Sequence, residues 1–270
     1  MSHSDYVGRT VTRHGEVSPH QLQAMAATLG VPTPEALPPL WHWMLFQEWV
    51  PPEQIGPDGH PRRGGFLPPL HDLPRRMWAG GRVRFRGALR AGDAVMRTST
   101  IASVTEKAGA SGRLVFVTVQ HAISGPAGIA IEEEQDLVYR GAAGAAVKPA
   151  PAADRDGWGA LSAEVMPDPV TLFRYSALTG NGHRIHYDLA YVRDVEGYPG
   201  LVVHGPLQAT WLAGLLAGRE LRQFSFRGQR PAFDGQTLAL EGRHEGSLVR
   251  LRTLDKSGSV CMTAEAELAA

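Results

Sequence analysis

The sequence predicts an α+β protein built as two similar halves, each with a helix and an antiparallel sheet. Strand-like segments follow one another without intervening helices in two separate regions, which favours antiparallel pairing. In addition, Phe85-Arg86-Gly87 with Asp93 recurs as Phe226-Arg227-Gly228 with Asp234, at the same sequence offset. We therefore expect a duplicated fold with the pseudo-symmetry of a fused dimer.

The composition allows a substantial core and excludes several classes of partner. Of the 270 residues 43% are apolar, and Lys+Arg equals Asp+Glu at 27 each. This balance gives no global attraction to nucleic acid or to an anionic membrane. The most apolar window, 201–217, is interrupted by His204, Pro206 and Gln208, so we expect no membrane span. A single cysteine, Cys261, and an N-terminus without a secretory leader favour the cytoplasm.

The first half, predicted over residues 1–143, begins with a helix signal. Ser18-Pro19-His20-Gln21 is typical of an N-cap with a capping-box glutamine, and Gly30 is a stop signal. Residues 40–46 concentrate large apolar side chains, which predicts core packing. Residues 51–74 form a long loop, a length typical of functional or disordered segments. Its aromatic and leucine content argues against disorder.

The predicted strands come after this loop. Residues 75–81 are basic and glycine-rich, which indicates either a turn with a solvated arginine pair or an approach to an anionic substrate. Alternation and β-rich composition then predict strands at 83–86, 94–104, 114–123 and 129–139.

A segment rich in Ala, Pro and Gly divides the chain and predicts a linker at 144–158. In the second half, 159–270, residues 169–180 suit a short helix or strand, and 206–217 predict an apolar helix. The remaining predicted strands are 223–228, 236–240, 247–253 and 260–268.

The stretch from Tyr175 to Asp188, with His204 shortly after it, concentrates groups that can carry chemistry. His183 and His186 are three residues apart, so zinc has to be considered. The only local third ligand is Asp188 and no spaced cluster accompanies the pair, so we predict no metal site.

General acid–base work suits these residues better than metal binding. His186 titrates near neutrality, Asn181 can orient water, and the amides at Gly205 start a helix that could stabilise an oxyanion. Ser176 is not in a Gly-x-Ser-x-Gly turn, which argues against a nucleophilic triad. On these residues alone, structurally buried histidines explain the cluster equally well.

Two groups of residues resemble a known family. The segment from Ser176 to Asp188 and the heptapeptide Gly200-Leu201-Val202-Val203-His204-Gly205-Pro206 resemble the hydratase motif of MaoC-like, hot-dog-fold acyl-thioester hydratases and dehydratases. Four other strings are similar to the group within that family containing mesaconyl-C4-CoA (3-methylfumaryl-CoA) hydratases and type 2 hydroxyacyl-thioester dehydratases. These are Pro39-Leu40-Trp41-His42-Trp43, Gly64-Gly65-Phe66-Leu67-Pro68-Pro69, Pro74-Arg75-Arg76-Met77-Trp78-Ala79-Gly80-Gly81 and Glu134-Gln135-Asp136-Leu137-Val138-Tyr139-Arg140.

The resemblance implies a double hot-dog fold, each half a long helix wrapped by an antiparallel sheet, with the catalytic residues in the second half. It implies a coenzyme A or acyl-carrier thioester substrate and no redox cofactor. It is also compatible with a homodimer. The implied reaction is water addition to or removal from an enoyl-CoA, foremost mesaconyl-C4-CoA to citramalyl-CoA. Alternatives are a fatty-acid-type (3R)-hydroxyacyl-thioester dehydratase, an acyl-CoA thioesterase and an inactive thioester-binding module.

The resemblance also assigns site residues. The wider family uses an Asp and a His as its catalytic pair; here His186 matches the His, whereas Asn181 occupies the Asp position and His183 the following Asn position. Since an amide cannot accept a proton from water, His186 is expected to be the main base, with His183 or Asp188 as a second titrating group. Gly205 and His204 are expected at the thioester oxygen. Candidates for substrate contacts are Arg184, Arg75, Arg76 and Trp78.

Overall fold

One antiparallel sheet of ten strands runs through the computed structural model, which describes residues 3–109, 112–141 and 150–269. Its order is β1-β3-β4-β5-β2-β7-β10-β9-β8-β6. The strands are β1 Thr10–Glu16, β2 Arg75–Phe85, β3 Ala94–Gly109, β4 Gly112–Gly125, β5 Gly128–Arg140, β6 Leu161–Val165, β7 Leu221–Gly228, β8 Leu238–Glu245, β9 Leu248–Leu254 and β10 Val260–Leu268. The second five strands thus repeat the first five in reverse spatial order.

The two halves meet at an antiparallel seam between β2 and β7. Within that seam Val83 lies directly opposite Phe224. These two residues are separated by the same sequence offset as Phe85 and Phe226, so the sequence repeat and the two-fold axis of the sheet coincide. The prediction of a duplicated α+β fold is confirmed.

The helices are α1 Pro19–Leu29, α2 Pro169–Thr179, α3 Leu189–Tyr191 and α4 Gly205–Gly214. As predicted, α1 is capped by Ser18, whose Oγ accepts the Gln21 N–H at 3.4 Å, and it ends at Gly30. The Gln21 side chain does not complete a capping box. It donates to the carbonyl of Met44 at 3.2 Å instead and so ties α1 to the core segment that follows.

Among the described residues, only those of the second half form a central helix against their sheet. Helix α4 packs on β7 to β10, with Leu207 and Leu212 fully buried. The expectation of a long central helix in both halves is therefore wrong for the first. Between α1 and β2, prolines restrict helix formation, and the described chain forms only 3-10 turns at Trp41–Met44 and Pro52–Gln54.

Buried polar contacts lie in the interior of the first half. His42 lies 3.1 Å from the carboxylate of Glu133 on β5, and the Trp43 indole N–H donates to the same carboxylate at 2.9 Å. Both bonds stabilise the anion against burial and hold the pKa of Glu133 at about 2. The interior of this half is therefore partly polar.

Several predicted boundaries need correction. Residues 75–81 do not form a turn but the start of β2, because Gly80 lets β7 approach: a Cβ at that position would overlap the Phe226 carbonyl oxygen. The sequence patterns do not predict strands β1 and β6 at the two sheet edges. The hairpin of β3 and β4 is longer than expected. Residues 144–149 of the predicted linker lie outside the described residues, and 150–158 contain neither helix nor strand.

Within the described ranges, none of the helices combines the length and the apolar character needed to cross a membrane.

Candidate active site

His186 occupies a buried position between α2 and α4. The 3-10 turn Arg184–His186 carries it, and its Nδ1 lies 2.7 Å from the carbonyl oxygen of Val202. A carbonyl can only accept, so Nδ1 carries the proton and Nε2 keeps its lone pair. Burial lowers the pKa of His186 to about 4, which makes the ring neutral at pH 7. Nε2 of His186 is thus able to accept a proton.

His204 supports the ring of His186 from one side. The two imidazoles are stacked with centroids 3.6 Å apart, and Nε2 of His204 lies 2.8 Å from Oγ of Ser176. Burial, together with the neighbouring imidazoles, places the pKa of His204 well below its ordinary value. His204 directly precedes α4, so the stack lies beside the N–H of Gly205. That N–H has no acceptor within the described residues.

Asn181 and His183 lie in the turn that joins α2 to the 3-10 turn carrying His186. Oδ1 of Asn181 accepts the backbone N–H of His183 at 3.1 Å, which fixes the turn that follows α2. The His183 ring meets that of His186 edge-on, with centroids 5.7 Å apart. Burial and the charges of His60 and His186 lower the pKa of His183.

The first half contributes a pair of residues that sequence reasoning missed. Asp58 and His60 lie on loop 56–61, and the His60 ring centroid is 4.3 Å from that of His183. Gly59 packs so closely on Gly182 that a Cβ would overlap the Gly182 carbonyl oxygen. The loop length and the Asp-Gly-His string were visible in the sequence, but nothing in them indicated contact with residues 182–184.

Four imidazoles form a row, in the order His60, His183, His186 and His204. We call this set the imidazole row. Asp58 lies at one end of the row, with its carboxylate 3.1 Å from Nδ1 of His60, and Ser176 lies at the other. The row therefore crosses from one half of the molecule to the other.

The structure also brings together a group that could in principle hold a cation. One donor atom each from Asp58, His60 and His183 lies within 4.8 Å of the others. This is not the set weighed from the sequence, because Asp188 caps α3 by accepting the Tyr191 N–H and pairs with Arg184.

The predicted substrate-contact residues have different surroundings. Arg184 pairs with Asp188 at 2.7 Å and donates to the carbonyl of Pro57 at 3.1 Å, so it joins the two halves. Arg75 pairs with Glu196 at 3.1 Å.

Arg76 and Trp78 are placed differently. The positive charge of Arg76 acts on both His60 and His183, lowering the pKa of each. Trp78 lies edge-on to Trp43, with centroids 5.0 Å apart, and donates to the carbonyl of Gly80. The charge of Arg76 therefore acts on the imidazole row.

Two sheet halves around one two-fold seam, with acid–base groups at the start of a central helix, define a double hot-dog protein. Solved structures agree. A MaoC-like dehydratase from Phytophthora capsici superposes with a TM-score of 0.73 at 17% identity, over 97% of this chain and 96% of that one. A Mycobacterium tuberculosis protein described as a double hot-dog superposes with a TM-score of 0.57 at 16% identity, over 97% and 96% of the two chains.

The chain belongs to the hydroxyacyl-thioester dehydratase type 2 family, whose model matches residues 40–234. A relative, the mesaconyl-C(4)-CoA hydratase of Chloroflexus aurantiacus, is 44% identical over 279 aligned residues, covering 99% of each protein. The chain is thus an enzyme with a hydratase or dehydratase role.

Proposed function

We propose that this enzyme adds water reversibly across the double bond of an enoyl-CoA, and that its substrate is mesaconyl-C4-CoA, giving citramalyl-CoA. The observation that carries the reaction type is the bond from Nδ1 of His186 to the Val202 carbonyl. It fixes the tautomer in which Nε2 is unprotonated and can act as a base. The relative from Chloroflexus aurantiacus, named for this substrate, supports the choice of acyl group.

Hydration begins with the base. Nε2 of His186 takes a proton from water while the water oxygen bonds to the β carbon of the enoyl thioester. Asn181 holds that water through its amide, since it can donate and accept hydrogen bonds but cannot take the proton. The oxidation state of the acyl group is unchanged overall, so the reaction requires no redox cofactor.

The electrons of the double bond move to the thioester oxygen as the β carbon is attacked. The N–H of Gly205, at the positive end of α4, is placed next to His204 to stabilise this enolate. Protonation of the α carbon then completes the addition. His183 is the residue in the second half that could share this proton transfer with His186.

The acyl group of mesaconyl-C4-CoA carries a methyl and a free carboxylate on the β carbon. A carboxylate entering a protein interior needs a cation, and arginine binds it in a planar, two-bond arrangement. Arg76 fits this role best among the candidates, because its charge already acts on His60 and His183. We propose Arg76 as the carboxylate anchor, and we expect a cytoplasmic enzyme because coenzyme A thioesters are its substrates.

A panel of thioesters tests the function. Purified protein is incubated with mesaconyl-C4-CoA, itaconyl-CoA and crotonyl-CoA, and the products are followed by mass. We expect the mass of one water to be gained with mesaconyl-C4-CoA at the highest kcat/KM. A preference for crotonyl-CoA would support the fatty-acid-type dehydratase instead, release of free coenzyme A would indicate a thioesterase, and tight binding without turnover an inactive module.

Replacement of Arg76 tests the anchor. Arg76→Gln should lower kcat/KM for mesaconyl-C4-CoA by tenfold or more, since a charge-assisted bidentate pair is lost. Crotonyl-CoA has no carboxylate, so its kcat/KM should change little. Arg62→Gln, an exposed arginine on the loop before β2 whose Nε donates to the Glu53 carbonyl, is the control. An equal loss for both substrates would assign Arg76 to the coenzyme or to folding.

A further inference from the structure

The imidazole row extends beyond the family motif into the first half of the chain. Building on the proposed hydration, we infer that His60, oriented by Asp58, is a second acid–base catalytic residue of this active site. It divides the two proton transfers of hydration with His186. The first half thereby supplies a titrating group at a site where Asn181 cannot.

Asp58 and His60 form an oriented pair. The carboxylate of Asp58 lies 3.1 Å from both the backbone nitrogen and Nδ1 of His60. The bonds to His60 hold the pKa of Asp58 far below its ordinary value in spite of burial, so it is a carboxylate. Nδ1 of His60 must therefore donate, and Nε2 is the atom left to exchange a proton.

Loop 56–61 holds this pair against the motif. The backbone N–H of Arg184 donates to the Asp58 carbonyl at 2.9 Å, and the Arg184 side chain donates to the Pro57 carbonyl at 3.1 Å. Gly59 lies in the left-handed region at φ 89°. Two hydrogen bonds from Arg184 to loop carbonyls thus fix the position of His60 relative to His183. So does Gly59, which no other residue replaces without strain.

The two transfers balance as follows. His186 Nε2 takes one proton from water as the C–O bond forms at the β carbon. His60, protonated at Nε2, gives its proton to the α carbon as the enolate collapses. The proton on His186 is then released to water and His60 takes up one proton from water, so both groups return to their starting states with one water added.

The charges around His60 allow this cycle to respond to substrate. Burial and the charges of Arg76 and Arg63 disfavour the imidazolium form of His60, whereas Asp58 favours it. The other neighbours are the neutral rings of His183 and His186. A substrate carboxylate bound at Arg76 would offset that positive charge. Binding would thereby raise the proton affinity of His60 at the moment when an acid is required.

The same arginines argue against a divalent cation at Asp58, His60 and His183. A metal ion would add two positive charges where Arg63 and Arg76 already oppose protonation of His60. Proton transfer uses this geometry without changing it.

Chemical rescue tests the role of His60. We expect His60→Ala to lower kcat about 10²-fold, within the range for loss of one acid–base group. The side chain of His60 is 19% exposed, so added imidazole should reach the vacated space and restore part of the activity. Restoration should vary with the pKa of a series of substituted imidazoles. His71→Ala, an exposed histidine on the same long loop, should keep wild-type kcat.

Asp58→Asn provides a second variant that keeps the shape of the pair. Loss of the carboxylate lowers the pKa of His60, so the alkaline limb of kcat, where the acid loses its proton, should move to lower pH. A wild-type pH profile in this variant, or His60→Ala with kcat within twofold of wild type, would overturn the inference. So would a loss of activity in His60→Ala that no imidazole restores, or a stoichiometric metal that disappears in this variant.

The inference and the proposed function fail in different ways. Wild-type turnover of the thioester panel decides the function, whereas the ratio of variant to wild type decides the role of His60. If the wild type adds no water to any thioester, ¹⁵N spectra of histidine-labelled protein still decide the role. Butyryl-CoA should then shift the Nε2 resonance of His60, while Nδ1 stays protonated; an unchanged Nε2 resonance would reject an active-site role.

Discussion

The basicity of His186 depends on one backbone carbonyl. Val202 fixes the tautomer by accepting the Nδ1 proton at 2.7 Å, while Val202 itself is held by donating its N–H to the Ile185 carbonyl at 2.9 Å. A side chain three residues into a short turn thus acquires a defined proton-accepting atom. The stack on His204 covers one face of the ring and so contributes to its burial.

This environment predicts the pH dependence of the reaction. His186 must be neutral to accept a proton, and burial lowers its pKa to about 4. The acid limb of kcat/KM should therefore fall through about pH 4. His186→Gln should lower kcat by about 10²–10⁴-fold at pH 7. His244→Gln, exposed on β8, is the control; an acid limb near pH 6.5 would contradict a buried base.

The residues of the motif itself could be predicted from the sequence, whereas their partners could not. The pattern around His186 identifies chemistry through local spacing and family resemblance. Asp58 and His60 lie more than a hundred positions earlier, on a loop without regular periodicity. Their approach to His183 depends on the docking of two backbones at Gly59 and Gly182, which no local pattern records.

At the scale of elements, loop 56–61 is the connection between the first half and the site. Its hydrogen bonds to Arg184 replace the strand-to-strand contacts that join the halves elsewhere. The loop crosses to the second half where the first half lacks a central helix. A segment that the sequence shows only as long and proline-rich is therefore an ordered part of the site.

Gly59→Ala should separate activity from stability. The new Cβ would overlap the Gly182 carbonyl oxygen, and the alanine would have to adopt a φ of 89°. The loop must therefore move away from the motif. We expect kcat to fall tenfold or more, while the melting temperature changes by only a few degrees. Gly65→Ala, in the long loop 51–74 and with open space around it, should behave as wild type. Full activity in Gly59→Ala would show that loop position is unimportant.

At the scale of the whole molecule, the β2–β7 seam unites the two halves into one sheet. The strand series and the Phe-Arg-Gly repeat predicted two related halves, and the register at Val83 and Phe224 confirms them. The sequence did not predict the missing central helix of the first half, because the resemblance describes an average member and the prolines that prevent this helix are spread over a long segment. Edge strand β1 has a single apolar side chain, Val11, and β6 has only five residues, so neither stands out in the sequence.

Gly80→Val tests the seam. A Cβ at Gly80 would overlap the carbonyl oxygen of Phe226, which belongs to the backbone of the partner strand and cannot rotate away. We expect the free energy of unfolding to fall by about 1–3 kcal/mol, the usual cost of overpacking. Urea denaturation measures the change. Gly87→Ala, whose nearest contact would be an ordinary 3.9 Å from Ala130, is the control, and an equal effect of both would show that the overlap with β7 is not the cause of the loss.

The coincidence of the repeat with the seam also bears on how such a site can evolve. In an assembly of two identical subunits, every insertion appears twice, so a loop that helps one site must be tolerated at the other. Covalent fusion removes this constraint. One copy can keep the helix and the histidine motif while the other gives up its helix and devotes a loop to its neighbour, and each copy then answers to a different selection pressure.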